Sequence, residues 1–552
     1  MLGLGLDLAY KYATEYVPIV SILGGDDPAN AAEPDATAWI LMDGPLPYNT
    51  PGNPNSGFVG GASWRKMAPS TSINDKPSYA SGDERVQWDG DRWSYFNIYD
   101  TNVWSQLGAS VDGEAAGDQS GTSVSMNAAG DRMVVGANAN VGTGGSYRGH
   151  VRVYQLTNGS WVQLGLDIDG EASGDAFGYS VSMNDAGDRI AIGAYLNDGT
   201  VSGSNRGHVR VYELINNVWT QLGLDIDGVA ANDQSGLSVS LNAVGDHVAI
   251  GAPTYKYDNS GQVRIFKLIN NVWTHLTQVG LDGILGEYAG GAPIDWNGSQ
   301  SGWSVSMNAA GDRVAIGAPL YNGVNGTDSG NVRVYQWSGS SWTLMGQMIQ
   351  GEAEYDQSGW SVSLNAAGDR VAIGTPYNDG NGESSGHVRI YEWNGSSSWV
   401  QLGSDINGRS AFDESGWSVS MNAAGNRVAI GARIYNDYTP GRPGGYVRVY
   451  ELVNGDWQKL DIDIEAEGFD DENGFSVSLN AAGDRVAIGA PYNDGINGAD
   501  SGSVRVFEYI PAPLSTSSDI VAYPWLATWS NNFAGAKVTS TYIKSTNYPA
   551  VP

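Results

Sequence analysis

Seven copies of one motif, Gly-x-Ser-Val-Ser-(Met/Leu)-Asn, begin at Gly121, Gly178, Gly236, Gly302, Gly359, Gly416 and Gly474. The intervals are 57, 58, 66, 57, 57 and 58 residues. A fixed period of this size means one supersecondary unit copied around an axis or along a line. Seven units built only of strands point to a closed ring.

One repeat shows the strands. Ser361-Val362-Ser363-Leu364-Asn365 alternates polar and apolar, as a half-buried strand does. Ala366-Ala367-Gly368-Asp369 reads as a tight turn, and Arg370-Val371-Ala372-Ile373-Gly374 as a second strand. A polar loop from Pro376 to Gly386 carries the turn signal Asn378-Asp379-Gly380. Val388-Arg389-Ile390-Tyr391 and Trp399-Val400-Gln401-Leu402 give a third and a fourth strand. Four short antiparallel strands per repeat make a propeller blade.

The fourth-strand Trp recurs at Trp104, Trp161, Trp219, Trp273, Trp342, Trp399 and Trp457. This series is offset: its first copy precedes the first Ser-Val-Ser, and none follows Val504-Arg505-Val506-Phe507. The expected fold is therefore an all-β, seven-bladed β-propeller of four-stranded antiparallel blades. Its ring is closed by an N-terminal strand near Trp104 that pairs with the C-terminal blade. The expected domains are an N-terminal anchoring region 1–103, the propeller 104–510 and a C-terminal tail 511–552 near the N-terminal region. Closure removes the exposed edges of an open sheet.

Composition limits function. Charged residues are 16% of the chain, yet the net charge is -31. So acidic a surface disfavours nucleic acid and anionic membranes. There is no Cys, which removes disulfides, thiol catalysis and thiolate metal sites. The start, Met1 to Leu8, is apolar but lacks a basic region, so neither a signal peptide nor membrane insertion is expected.

These elements resemble the FG-GAP repeats, the β-propellers of integrin α-subunits and their bacterial and viral relatives. Gly-Ala-Pro stands at Gly251-Ala252-Pro253, Gly317-Ala318-Pro319 and Gly489-Ala490-Pro491, and an aromatic-Gly pair at Phe177-Gly178. The resemblance implies calcium sites in the turn between the first two strands. Here that turn is short, as at Asn308 to Asp312, with one acidic side chain, whereas Ca²⁺ takes six to eight oxygens. The chain looks like the calcium-free branch. No cofactor and no metal are expected.

Several residue series recur. Asp118, Asp175, Asp233, Asp356, Asp413 and Asp471 lie three residues before the motif Gly. They read as cation ligands or, preferably, as carboxylates capping a turn. Arg152, Arg210, Arg264, Arg333, Arg389, Arg448 and Arg505 recur in the third strand. A second series, Arg132, Arg189, Arg313, Arg370, Arg427 and Arg485, opens the second strand. Structural pairing with the repeated Asp is expected of both. Tyr179, Trp303, Trp360, Trp417 and Phe475 follow the motif Gly and read as inter-blade packing, with stacking on sugar rings as the alternative. His150, His208 and His387 share one slot before the third strand, where a buried or capping role is expected. The interval from Gly236 to Gly302 is longer, and its extra residues, with Glu287, Tyr288, Asp295 and Trp296, are the candidate ligand-binding loop. No enzyme signature is present, and no catalytic residue is assigned.

In the flanks, Arg85 to Trp88 and Arg92 to Phe96 around Asp89-Gly90-Asp91 read as a β-hairpin near 85–97. Gly44 to Ser56 reads as irregular chain. Tyr523, Trp525, Trp529 and Phe533 of the tail are expected to pack on the hairpin. Such flanks resemble, in style, the attachment ends of phage tail fibres and capsid decorations. The expected function is a non-enzymatic virion structural protein that projects a propeller toward a host surface protein or glycan. It would bind other virion proteins through 1–103 and 511–552. A cell-surface or secreted adhesion propeller is the alternative.

Overall fold

The computed structural model describes residues 103–142, 147–199, 204–255, 259–276, 298–433 and 444–510, together with the backbone of the strands in both flanks. The chain divides into two compact units, Met1–Val103 with Pro511–Pro552, and Trp104–Ile510.

The first unit is one nine-stranded sheet. Its order is Ile520–Val521, Thr539–Ile543, Val20–Gly24, Ala38–Met42, Ala62–Ile73, Lys76–Ser81, Glu84–Trp88 and Trp93–Asn97, with Ser56–Val59 also on Ala62–Ile73. The last two strands form the expected hairpin, with Trp88 opposite Trp93. The C-terminal strand lies not on that hairpin but on Val20–Gly24, with Val20 opposite Thr541. The tail residues Tyr523, Trp525, Trp529 and Phe533 lie outside the described residues.

The second unit is a seven-bladed propeller of antiparallel sheets. In blade five the strands are Ser361–Leu364, Arg370–Thr375, His387–Trp393 and Trp399–Gln401. A two-residue strand, Ile406–Asn407, adds to the start of the third strand. Six of the seven blades carry this addition among the described residues. The seventh blade takes Val103–Gln106 as its fourth strand and Val111–Asp112 as its addition.

The second strand is buried on both sides because each blade is sandwiched between two others. Val371 and Ile373 meet Ala315, Val332 and Val334 of blade four. Ala372, on the opposite side, meets Val428 and Ile430 of blade six. The Val-Ala-Ile triplet thus places bulk on one face and a small residue on the other. The core is seven such layers, and one of them, Val135 and Met133 against Ala487, Val504 and Val506, spans the seam between first and last blades. Burying one Ile of this kind contributes roughly 2–3 kcal/mol.

The motif explains itself as three rings of hydrogen bonds around the axis. The first Ser of each copy donates to the motif Gly carbonyl of the next blade, from Ser123 Oγ to Gly178 O at 2.8 Å through to Ser476 Oγ to Gly121 O at 2.8 Å. The second Ser accepts the Met or Leu N–H of the next blade, as in Leu364 N to Ser306 Oγ at 2.9 Å, and Met126 N to Ser478 Oγ closes the cycle at 2.9 Å. Past the Asn, backbone N–H groups donate head to tail from Ala128 to Asp185 O and onward until Ala481 N reaches Ala128 O at 3.1 Å. Two glycines per blade permit the approach. A Cβ on Gly317 would lie 2.0 Å from Gly359 O, and Gly359 itself has φ +90.

The outer edges are stitched by the repeated Trp. Trp161, Trp219, Trp273, Trp399 and Trp457 donate Nε1 to a carbonyl of the preceding blade, at 2.8 or 2.9 Å. Among the described residues no helix is long and apolar enough to cross a membrane.

Candidate functional site

The inner strands run along the axis, so the motif Gly and the motif Asn lie at opposite ends of the central channel. At the Asn end, Met126, Met183, Leu241, Met307, Leu364, Met421 and Leu479 line a cavity of about 160 Å³ with the Asn and Ala residues. At the Gly end five of the seven corresponding residues are aromatic. Each motif Gly projects its following residue there: Thr122, Tyr179, Leu237, Trp303, Trp360, Trp417 and Phe475.

Four of these form a ladder across four blades. Ring centroids lie 4.8 Å apart for Trp303 and Trp360, 4.6 Å for Trp360 and Trp417, and 5.7 Å for Trp417 and Phe475. Tyr377 meets Trp360 edge-on at 5.7 Å, and Tyr195 packs on Tyr179 at 4.5 Å. The rings touch between blades, as packing requires, yet Tyr179, Trp303, Trp360, Trp417 and Phe475 are all only half-buried. Burial pushes the Tyr179 hydroxyl up to about 12, so it stays a neutral donor at physiological pH.

One sector is charged. Arg433 lies 3.3 Å over the Trp417 ring, donates to Glu414 at 2.6 Å and stands 3.5 Å from Glu472. Glu472 is 7% exposed, and burial raises its carboxyl to about 7, against the opposing pull of Arg433. Both glutamates occupy the position two residues before the motif Gly. This position is left-handed in every blade, with φ from 52 to 56, and in four blades it is Gln. A side chain in that region costs about 1 kcal/mol or more, and such strain gathers at functional sites. The sequence reading passed over Arg433, Glu414 and Glu472. The replacement of Gln by Glu in two consecutive copies was the available signal.

The repeated Asp residues are buried caps. Asp233 Oδ2 accepts the N–H groups of Val229 and Ala230 at 2.9 and 2.6 Å, and Asp118 accepts those of Glu114 and Ala115. Asp175, Asp356 and Asp471 each add an Asn side chain, and Asp413 adds the Tyr446 hydroxyl.

The arginines do not pair with these Asp residues as expected. Four of the third-strand series clamp the end of the preceding blade, and the other three bind groups of their own blade. Arg152, Arg264, Arg389 and Arg505 donate to the carbonyls of Asp112, Asp227, Gln350 and Glu465. Arg210 and Arg448 take the carboxylates of Asp225 and Asp463, and Arg333 lies over the Tyr321 ring. The second-strand series reaches forward instead, as from Arg370 to Gly425 O, and pairs with a third-strand Glu, as in Arg370–Glu392 at 2.7 Å.

His150, His208 and His387 are buried at 1–2% exposure. The candidate loop residues Glu287, Tyr288, Asp295 and Trp296 lie outside the described residues.

The turn between the first two strands does not fit Ca²⁺. Asn308 Oδ1 accepts the N–H groups of Asp312 and Arg313, and Asn308 Nδ2 holds the Asp312 carboxylate at 2.8 Å. The oxygens are already spent on closing the turn, and one carboxylate is far short of six ligands.

Residues 167–212 match the family model described as the FG-GAP repeat. No curated protein matches the chain. The matched segment runs from the edge of the first blade to the third strand of the second, and the same motif recurs in all seven blades. The chain is a seven-bladed β-propeller in which residues 167–212 are similar to the FG-GAP repeat, a fold consistent with adhesion and recognition.

Proposed function

We propose that this chain is a non-enzymatic recognition protein that reads a surface glycan at the aromatic mouth of its central channel. The ladder of Trp303, Trp360, Trp417 and Phe475 carries the reading. Half-buried rings in a rigid frame present flat apolar faces beside wet polar groups. The C–H faces of a pyranose stack on such rings, while its hydroxyls meet Gln119, Gln234, Gln300 and Gln357 at the rim. Nucleic acid also stacks on aromatics, but a chain of net charge -31 repels it. The test is an oligosaccharide array probed with the wild-type chain and with Trp360→Ala. Retained binding by the variant to every sugar recognised by the wild type would exclude the ladder.

The proposed setting is a virion, as a tail-fibre, tail-associated or capsid-decoration protein held by the unit formed from 1–103 and 511–552. The supporting observation is that both ends of the chain enter one sheet, separate from the propeller, which suits a mount. Density-gradient fractions of viral particles analysed by mass spectrometry test this. Stoichiometric co-sedimentation is expected, whereas recovery only with cell envelopes would favour a cell-surface adhesion propeller.

A further inference from the structure

Three blades share a side-chain cluster that the recognition surface does not use. It comprises Glu114, His150 and Asp167 in the first blade, Glu171, His208 and Asp225 in the second, and Glu352, His387 and Asp405 in the fifth. In each, one imidazole nitrogen and one oxygen from each acid lie within 4.8 Å of one another. The residues come from three separate places. The His opens the third strand, the Asp precedes the short added strand of the same blade, and the Glu lies on the link from the preceding blade. No sequence spacing betrays the cluster, because some 35 residues separate Glu from His.

The geometry of these groups is that of ligands. Nδ1 of His150 is 3.8 Å from Glu114 Oε2, and Nδ1 of His387 is 3.9 Å from Glu352 Oε2. Both distances are too long for a hydrogen bond. Two ligands of one tetrahedral ion, each bound at about 2.0–2.1 Å, stand roughly 3.3 Å apart, so a shift of about half an ångström brings the His and Glu atoms to ligand spacing. The imidazoles are 1–2% exposed and their Nε2 atoms have no hydrogen-bond partner, so rotation into water is not open to them. The acids are oriented from behind: Gln163 Nε2 holds Asp167 Oδ1, and Gln401 Nε2 holds Asp405 Oδ1, each at 2.6 Å. An arginine competes in each case. Arg152 stands 3.6 Å from Glu114 and Arg389 3.1 Å from Glu352, while Arg210 binds both Glu171 and Asp225. With two carboxylates against one guanidinium, each cluster keeps one negative charge for an incoming cation.

We propose that Glu114–His150–Asp167 and Glu352–His387–Asp405 bind divalent transition-metal ions of the Zn²⁺ type, with Glu171–His208–Asp225 a weaker third copy. One nitrogen and two oxygens with a solvent-facing fourth position suit Zn²⁺ or Co²⁺ better than Ca²⁺. Each ion staples two neighbouring blades. The first would staple the seam itself, because Glu114 follows Val111–Asp112, which pairs with the last blade. The other four blades place Gln262, Asn331, Tyr446 and Ser503 in the His slot and bind none.

The test uses the full chain, freed of metal with a chelator and titrated calorimetrically with Zn²⁺ in excess Mg²⁺, which saturates non-specific acidic sites. Co²⁺ absorption reports the coordination. Two ions of similar affinity, a weaker third and a rise in Tm are expected. The count should fall by one in His150→Asn and by two in His150→Asn/His387→Asn. Glu114→Gln and Glu352→Gln change only exposed side chains and repeat the measurement should a His variant fail to fold. Absence of saturable Zn²⁺ binding, or an unchanged count in the Glu114→Gln/Glu352→Gln variant, overturns the proposal.

Discussion

At the scale of single residues, burial raises the carboxyls of both Asp233 and Glu472, and the two differ in how their neighbours offset it. Asp233 is wholly buried, but two N–H groups solvate its carboxylate. Asp233→Ala strands those donors and should cost about 1–3 kcal/mol, read as a lowered urea midpoint against wild type. Glu472 is buried with less compensation, and its folded pKa of about 7 lies above its ordinary 4.5. A raised carboxyl pKa means that the folded state binds the proton more tightly. The associated stability is therefore full below pH 4.5 and is lost as pH rises through 7, by on the order of 3 kcal/mol. Glu472→Gln should flatten the Tm profile between pH 5 and 8, and a slope equal to that of wild type would contradict it.

At the scale of elements, the strands, turns and Trp positions were legible because each is a local signal repeated seven times. Alternation in Ser-Val-Ser and the Val-Ala-Ile triplet stated which faces are buried before any contact was known. What the residues do across blades was not legible. The arginine partners and the His clusters join residues far apart along the chain, whereas the Gln-to-Glu change beside Trp417 stood in two consecutive copies and was passed over. In the flanks, strands such as Val20–Gly24 and Ala38–Met42 lack a repeat to mark them and were missed, while the Asp-Gly turn near 90 announced its hairpin. The layer logic predicts that Ala372→Leu, at a site with no exposure, overpacks the blade five–six interface and costs about 1–3 kcal/mol. Val400→Leu, at an exposed position of the same blade, should leave Tm nearly unchanged.

At the scale of the whole molecule, closure is the shared property. Three hydrogen-bond rings and one of the seven apolar layers cross the seam between first and last blades, as three rings and one layer cross every other interface. Removing residues 1–110 deletes the fourth strand of the seventh blade and exposes the edge of its third strand. The shortened propeller should unfold at a lower temperature and associate through that edge, which sedimentation velocity would register. A monomer with wild-type Tm would mean that the inner rings alone hold the seam. Rigid closure also gives the aromatic mouth its value, since rings fixed on five inner strands need little ordering when a ligand stacks on them. The most direct measurement is saturation-transfer NMR of an array-selected oligosaccharide on wild type and on Trp360→Ala/Trp417→Ala. Strong transfer to the C–H face of one pyranose, abolished in the variant while its Tm stays within a few degrees, is the predicted result. Undiminished transfer in the variant would place recognition elsewhere on the propeller.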